Sequence, residues 1–200
     1  MGIYFNPNHT DFYNAVNHSQ IYVDKTELIQ YTNSVLFGEQ KYICVSRPRR
    51  FGKSMAANML TAYYSQGCDS TELFQELKIA THPDFEKHLN QYNVIHLNMR
   101  DYLTESENMK QLIQFVEDDL LDELQQEFSD LRMPRRKTLV KVLEQAFAQY
   151  KIPFVFIIDE WDCIFRVHKS DAVSQKEYLD FLRNLLKDKS YIALAYMTGI

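Results

Sequence analysis

The stretch Ser46-Arg47-Pro48-Arg49-Arg50-Phe51-Gly52-Lys53-Ser54 constrains this chain more than any other. Tyr42-Ile43-Cys44-Val45 before it is a short apolar run that reads as a buried strand. Met55 to Tyr64 after it is rich in helix formers and apolar on nearly all faces, which predicts a buried helix ending near Ser65. Strand, short loop and Gly-Lys-Ser opening a helix is the setting of a phosphate-binding loop. A helix start offers unpaired backbone N–H groups and about half a positive charge. Gly52 lets the backbone approach a phosphate closely. Lys53 is placed to reach β- and γ-phosphates, and the Ser54 hydroxyl is a ligand for Mg²⁺. The general pattern asks for Gly where this chain has Arg47. A residue with a Cβ there must avoid positive φ or carry strain, so the path of the loop is left open. The plain alternative is a basic turn followed by an ordinary buried helix.

Phe154-Val155-Phe156-Ile157-Ile158 is the second anchor. A continuous apolar run of this kind reads as a central strand buried on both faces. It runs into Asp159-Glu160, the shape of a Walker B element followed by a catalytic glutamate. Asp159 would hold Mg²⁺, directly or through water, and Glu160 would accept a proton from the attacking water. Acids that only mark the exit of a strand into solvent are the plain alternative. Tyr92 to Met99 is a further strand, in which His96 reads as a satisfied buried histidine. Ile192 to Met197 is the fourth strand, ending in Thr198-Gly199.

Three blocks carry a family resemblance. Tyr22-Val23-Asp24-Lys25-Thr26-Glu27-Leu28-Ile29, then Arg47 to Ser54, then Ile158-Asp159-Glu160-Trp161-Asp162 together resemble a bacterial family of predicted AAA-ATPase-like proteins. In that family Arg-Pro-Arg-Arg-Phe-Gly-Lys-Ser is itself the phosphate-loop variant, so Arg47 fits. Thr198-Gly199 belongs to the same pattern. The resemblance implies an α/β, three-layer P-loop NTPase fold of AAA/ASCE-like type with a mostly parallel central sheet. In it the strand ending at Thr198 lies between the phosphate-loop strand and the acidic strand. Such modules add a fifth strand and a lid, so the expectation here is a core lacking its last strand and lid. The division expected is an N-terminal arm over 1–40 packing on a core over 41–200.

The cofactors implied are ATP and Mg²⁺. Nucleotide binding falls to Arg47, Pro48, Arg49, Arg50, Phe51, Gly52, Lys53, Ser54 and Met55. The metal falls to Ser54 and Asp159, and catalysis to Glu160, Lys53 and Thr198. A polar residue at the Thr198 strand end is where many P-loop ATPases keep a sensor of the γ-phosphate; a simple β-to-loop turn fits Thr198 equally well. Asp24, Lys25 and Asp162 belong to the resemblance without a role. Family members commonly carry a PD-(D/E)XK nuclease-like domain after this module, so such a domain outside this chain is an expected partner.

Composition narrows the remaining classes. The net charge of −5 argues against broad electrostatic binding to nucleic acid, which leaves that partner open and not by bulk charge. Pro134-Arg135-Arg136-Lys137 reads as a basic surface loop. The 3 cysteines form no C-x-x-C and the 6 histidines show no ligand spacing, against a disulfide framework or structural zinc. No apolar run is long enough for a membrane and the first residues lack signal-peptide character, so the expected compartment is the cytoplasm, with no membrane partner. A homo-oligomer stays open.

Elsewhere, Thr10 or Asp11 is expected to cap a short first helix, and Thr26 onward to be helical. Residues 105–128 read as one amphipathic helix with Ile113, Val116, Leu120, Leu124 and Phe128 on its stripe. Glu117, Asp118, Asp119, Asp122 and Glu123 read as its solvated face. Thr138 to Tyr150 is a further helix, and Ser174 with Glu177 reads as a capping box. Three functions remain: an Mg²⁺-dependent ATPase acting as a switch or motor, a nucleotide-binding interaction module with little hydrolysis, and an ATP-regulated part of a nucleic-acid-processing protein.

Overall fold

The computed structural model describes residues 2–200. Its centre is a sheet of β1 (Tyr42–Ser46), β2 (Asn93–Asn98), β3 (Phe154–Asp159) and β4 (Ile192–Gly199) in the order β1-β4-β3-β2. All neighbours pair in parallel, with Val45 opposite Thr198, Ile158 opposite Met197 and Asn98 opposite Asp159. The strand carrying Thr198 therefore lies between the phosphate-loop strand and the acidic strand, as expected. Every residue of β3 is buried, which is what a central strand covered on both faces requires.

The helices are α1 (Thr10–His18), α2 (Glu27–Val35), α3 (Lys53–Tyr64), α4 (Thr71–Gln75), α5 (Phe85–His88), α6 (Met99–Glu105), α7 (Met109–Glu127), α8 (Leu139–Tyr150), α9 (Cys163–Val167) and α10 (Ala172–Leu186). Side chains alternate across a strand, so the sheet sorts its neighbours by face. Val155 and Ile157 join one core with Phe12, Ile29, Ala57, Leu60 and Tyr64 from α1, α2 and α3. Phe154, Phe156 and Ile158 join the other with Leu112, Leu120, Leu143, Ile164 and Tyr178 from α7 to α10. Helices thus cover both faces of the parallel sheet.

The helix expected over 105–128 is α7, which starts only at Met109; Ser106-Glu107-Asn108 separates it from the short α6, which ends at Glu105. Both helices open on an asparagine cap. The Asn98 side chain accepts from Arg100 N and the Asn108 side chain from Gln111 N. Side chains of this kind satisfy orphan N–H groups and so start new helices. The capping residue of α10 is Asp171, not Ser174: its carboxylate accepts from the Ser174 N–H at 3.0 Å and from the Ser174 hydroxyl at 2.7 Å. Neither Thr10 nor Asp11 caps α1, whose N-cap is His9 without a side-chain bond.

The acids of α7 are not all a solvated face. Asp119 accepts from the Tyr102 hydroxyl at 3.0 Å. Glu123 accepts from three successive backbone N–H groups, those of Ile3, Tyr4 and Phe5, at 2.7, 3.0 and 2.7 Å. The segment held this way lies antiparallel along β2. Asn6 N donates to Val94 O at 2.7 Å, His96 N to Tyr4 O at 2.8 Å, and the Asn6 side chain accepts from Val94 N at 2.7 Å. An exposed sheet edge templates aggregation, and this segment covers it. Periodicity could not show the role of Glu123, because a carboxylate off the apolar stripe looks the same whether it meets water or a neighbouring backbone.

Glu123→Ala should therefore lower the unfolding free energy by about 1.5–3 kcal/mol, the usual value of hydrogen bonds to a charged group. Urea unfolding measures the loss, and hydrogen exchange should show the Ile3 to Phe5 amides losing protection first.

Candidate functional site

Because all strands are parallel, the ends of β1, β3 and β4 meet on one side of the sheet, where open α/β sheets bind ligands. The loop 47–52 leaves β1 there and turns into α3 at Gly52. Arg47 does not take the left-handed conformation. Its N–H instead donates to Gly199 O at 3.1 Å, extending the β1–β4 pairing by one step. Positive φ falls on Arg50 (69°) and Gly52 (78°). Gly tolerates this freely; Arg50 holds it as local strain. Arg47, Pro48, Arg49, Arg50 and Phe51 are exposed on the loop, and Met55 is exposed just inside the helix. None of the three arginines forms an ion pair among the described residues.

Lys53 is different. It is 8% exposed, and its ammonium donates to the carbonyls of Arg47 at 2.9 Å and Pro48 at 3.2 Å. The loop thus curls round its own lysine, holding the charge at the mouth of α3. Next to it the Ser54 hydroxyl donates to Asp159 Oδ2 at 2.5 Å. The other carboxylate oxygen accepts from the Thr198 hydroxyl and from Glu160 N, the latter at 2.9 Å. The structure therefore brings Ser54, Asp159 and Thr198 into one hydrogen-bonded cluster, with Lys53 next to Ser54 in the first turn of α3 and its ammonium turned to the loop carbonyls. Thr198 is fully buried and faces the Asp159 carboxylate, beyond what a simple turn requires.

Glu160 is placed otherwise. Its backbone has φ 53°, and its carboxylate is paired with the Arg166 guanidinium of α9. Burial lowers the Arg166 pKa, but the Glu160 hydrogen bond and the Asp162 charge outweigh it, holding the guanidinium above its ordinary value. Asp162 lies 3.6 Å from the same guanidinium and accepts from Ile200 N at 3.0 Å. Its carboxyl rests on Gly199. A Cβ there would come within 2.8 Å of the Asp162 carboxyl carbon and 3.0 Å of Trp161 Nε1. This explains Asp162 and Gly199 together: the glycine makes room for the acid that closes the end of β4. The sequence signal that could have marked Arg166 is its i,i+4 spacing from Asp162; nothing in the spacing points to Glu160.

A cavity of about 330 Å³ adjoins the Ser54–Asp159 pair, lined by Ser54, Asn58, His96, Asn98, Asp101 and Asp159 among others. His96 shares a hydrogen bond with the Thr61 hydroxyl at 3.1 Å, so its ring is satisfied. Burial pulls its pKa below the ordinary value, against the opposing charges of Asp159 and Asp11.

The family model described as "Predicted AAA-ATPase" matches residues 8–200. The chain belongs to that family. No curated protein matches the chain. Membership in a predicted AAA-ATPase family agrees with nucleotide binding in general terms, and the mixed α/β architecture with its parallel sheet agrees with the fold such a family requires. No helix among the described residues is long and apolar enough to cross a membrane.

Gly199→Ala in this AAA-ATPase family member should cost about 1–3 kcal/mol through overpacking against Asp162. In an Asp162→Ala background the cost should be smaller, since the carboxyl is gone. A double-mutant cycle by thermal unfolding reads the coupling.

Proposed function

We propose that this chain is a P-loop module that binds ATP with Mg²⁺ and hydrolyses it, acting as a switch for an attached or partner domain. One observation carries the reading: the Ser54 hydroxyl and the Thr198 hydroxyl both bind the buried Asp159 carboxylate, beside the Lys53 ammonium at the start of α3. The ammonium and the N–H groups at the mouth of α3 bind the phosphate chain. The exposed Arg47, Arg49 and Arg50 add unpaired positive charge around it.

Ser54 and Asp159 fit Mg²⁺. Both donors are oxygens, and Mg²⁺ takes one or two carboxylates with waters and phosphate oxygens completing its shell. No cluster of three metal-ligating His, Cys, Asp or Glu occurs among the described residues, so an all-protein cage is not the arrangement at issue. When bound, Mg²⁺ neutralises charge on the phosphates. Thr198 orients the Asp159 carboxylate toward Ser54. Glu160 takes the proton from the water that attacks the γ-phosphate, and for that its carboxylate must leave Arg166.

The Glu160–Arg166 pair also supports a second reading, a nucleotide-binding interaction module with little hydrolysis, because a carboxylate committed to a guanidinium is a poor proton acceptor. The family's company suggests a nuclease-like domain outside this chain as the recipient of the switch. That role stands as a proposal with the rest.

Calorimetry of the parent with ATP, with and without Mg²⁺, tests binding. Lys53→Ala should weaken ATP by about 10- to 100-fold or more while the protein stays folded. Equal affinity would remove the phosphate-loop assignment.

Glu160→Gln separates the two readings. The amide keeps the size of the side chain but takes no proton, so ATP should still bind while turnover falls by at least about 100-fold. Equal, measurable turnover in the variant and the parent would sink the general-base role. Arg166→Gln should raise parent turnover, because it frees Glu160. If no protein in the series hydrolyses ATP while the parent binds it, the interaction-module reading stands.

A further inference from the structure

The turn Asp24-Lys25-Thr26 lies far from the phosphate loop in sequence but beside it in space. A Cβ built on Gly52 would sit 3.7 Å from the Lys25 ammonium nitrogen, the nearest atom to it. The two residues flanking Lys25 are fixed. The Asp24 carboxylate accepts from Thr26 N at 2.8 Å, from the Thr26 hydroxyl at 2.7 Å and from Lys78 N at 2.8 Å. Thr26 is fully buried, and its hydroxyl accepts from Ile79 N at 3.1 Å. The backbone carbonyls of Lys25 and Thr26 accept from Leu28 N and Ile29 N, which starts α2. The turn is clamped onto residues 78–79 from both sides, and Lys25 projects from the middle of the clamp.

The side chain so placed is exposed and makes no hydrogen bond or ion pair among the described residues. Its surroundings are positive. The start of α3, where Lys53 stands, contributes about half a charge, and Arg47, Arg49 and Arg50 lie in the same loop as Gly52, beside which the Lys25 ammonium sits. A rigid turn that holds one more cation against such a loop works against like-charge repulsion. An anion at the loop reverses the sign of that term. Asp24 forms no ion pair with Lys25 among the described residues; its carboxylate is turned to Thr26 and to the backbone of Lys78. The acid and the threonine are thus positioning residues, and the lysine between them is the group delivered.

We propose that Lys25 is a nucleotide-binding residue: the N-terminal arm reaches over Gly52 and supplies a second ammonium, beside Lys53, to the phosphate chain of the bound nucleoside triphosphate. The inference rests on the phosphate-loop reading above and adds to it a contact from outside the loop. The arm then senses whether the loop is filled, since part of the phosphate charge is held by a turn that also anchors residues 78–79 and the start of α2.

The test is calorimetric titration of ATP, ADP and AMP into the parent, Lys25→Met, Lys25→Arg and Lys53→Ala, with circular dichroism on each. Lys25 has no partner to lose, so Lys25→Met should fold as the parent does. Its ATP affinity should fall by about 10- to 100-fold, the effect of removing one charge-assisted contact. The loss should shrink from ATP to AMP, and Lys25→Arg should restore most of it. The salt dependence of ATP binding should also weaken in Lys25→Met. If the parent and Lys25→Met bind ATP equally while Lys53→Ala does not, this inference falls and the phosphate-loop reading stands. If Lys25→Met weakens AMP as much as ATP, the phosphate-chain contact falls likewise. If the parent itself binds no nucleotide, both fall.

Discussion

A single buried carboxylate organises this side of the molecule. Asp159 is 4% exposed and has no ion-pair partner among the described residues. A buried charge is costly unless hydrogen bonds satisfy it. Three do, and they come from three separate elements: Ser54 on α3, Thr198 on β4 and the N–H of Glu160 after β3. Satisfying Asp159 therefore fixes α3, the β4 strand and the turn after β3 relative to one another. The register of the sheet makes this possible. Val45 pairs with Thr198 and Ile158 with Met197, so the three strand ends arrive at one level.

Strain gathers around the same point. Arg50 and Glu160 both hold positive φ, one in each loop that leaves the sheet beside Asp159. Side chains with a Cβ hold that conformation only where surrounding structure over-determines it. For Glu160 the determinants are visible: its N–H is used by Asp159, its carboxylate by Arg166, and the next N–H, that of Trp161, by Thr198 O at 3.1 Å. For Arg50 the determinant is the curl of the loop around the Lys53 ammonium.

What the sequence made legible follows from what its signals report. The apolar runs Phe154–Ile158 and Ile192–Met197 were readable as strands, because burial on both faces leaves no polar interruptions. Tyr42–Val45 is a strand but not the buried one its apolar run suggests: β1 is an edge of the sheet, and Tyr42 and Cys44 are exposed on it. The cluster of Ser54, Asp159 and Thr198, with Lys53 next to Ser54, was readable because parallel βα topology forces those strand ends together. The start of α7 at Met109 was not readable from periodicity, because it is set by the Asn108 cap and not by the apolar stripe. The place of Lys25 beside Gly52 was hidden for another reason: the contact is distant in the chain, and neither helical nor strand spacing encodes where a flexible cation ends up. For Arg166 the i,i+4 spacing from Asp162 was legible and the pairing with Glu160 was not. The role of Glu123 was hidden likewise, because its partners are backbone N–H groups that any sequence has.

The position of Glu160 ties the turn after β3 to the end of β4. Its side chain leaves a left-handed backbone toward Arg166, and Arg166 stands one helix start away from Asp162, whose carboxylate closes β4 through Ile200 N and presses on Gly199. Glu160, Arg166, Asp162 and the end of β4 form one chain of contacts that begins at the next residue after Asp159. Arg166 is shared by the two acids, so a change in the partner of Glu160 alters the charge that Asp162 meets, and with it the contact that closes β4. The turn after β3 and the end of β4 are thus joined twice, once through Asp159 and Thr198 and once through Arg166 and Asp162.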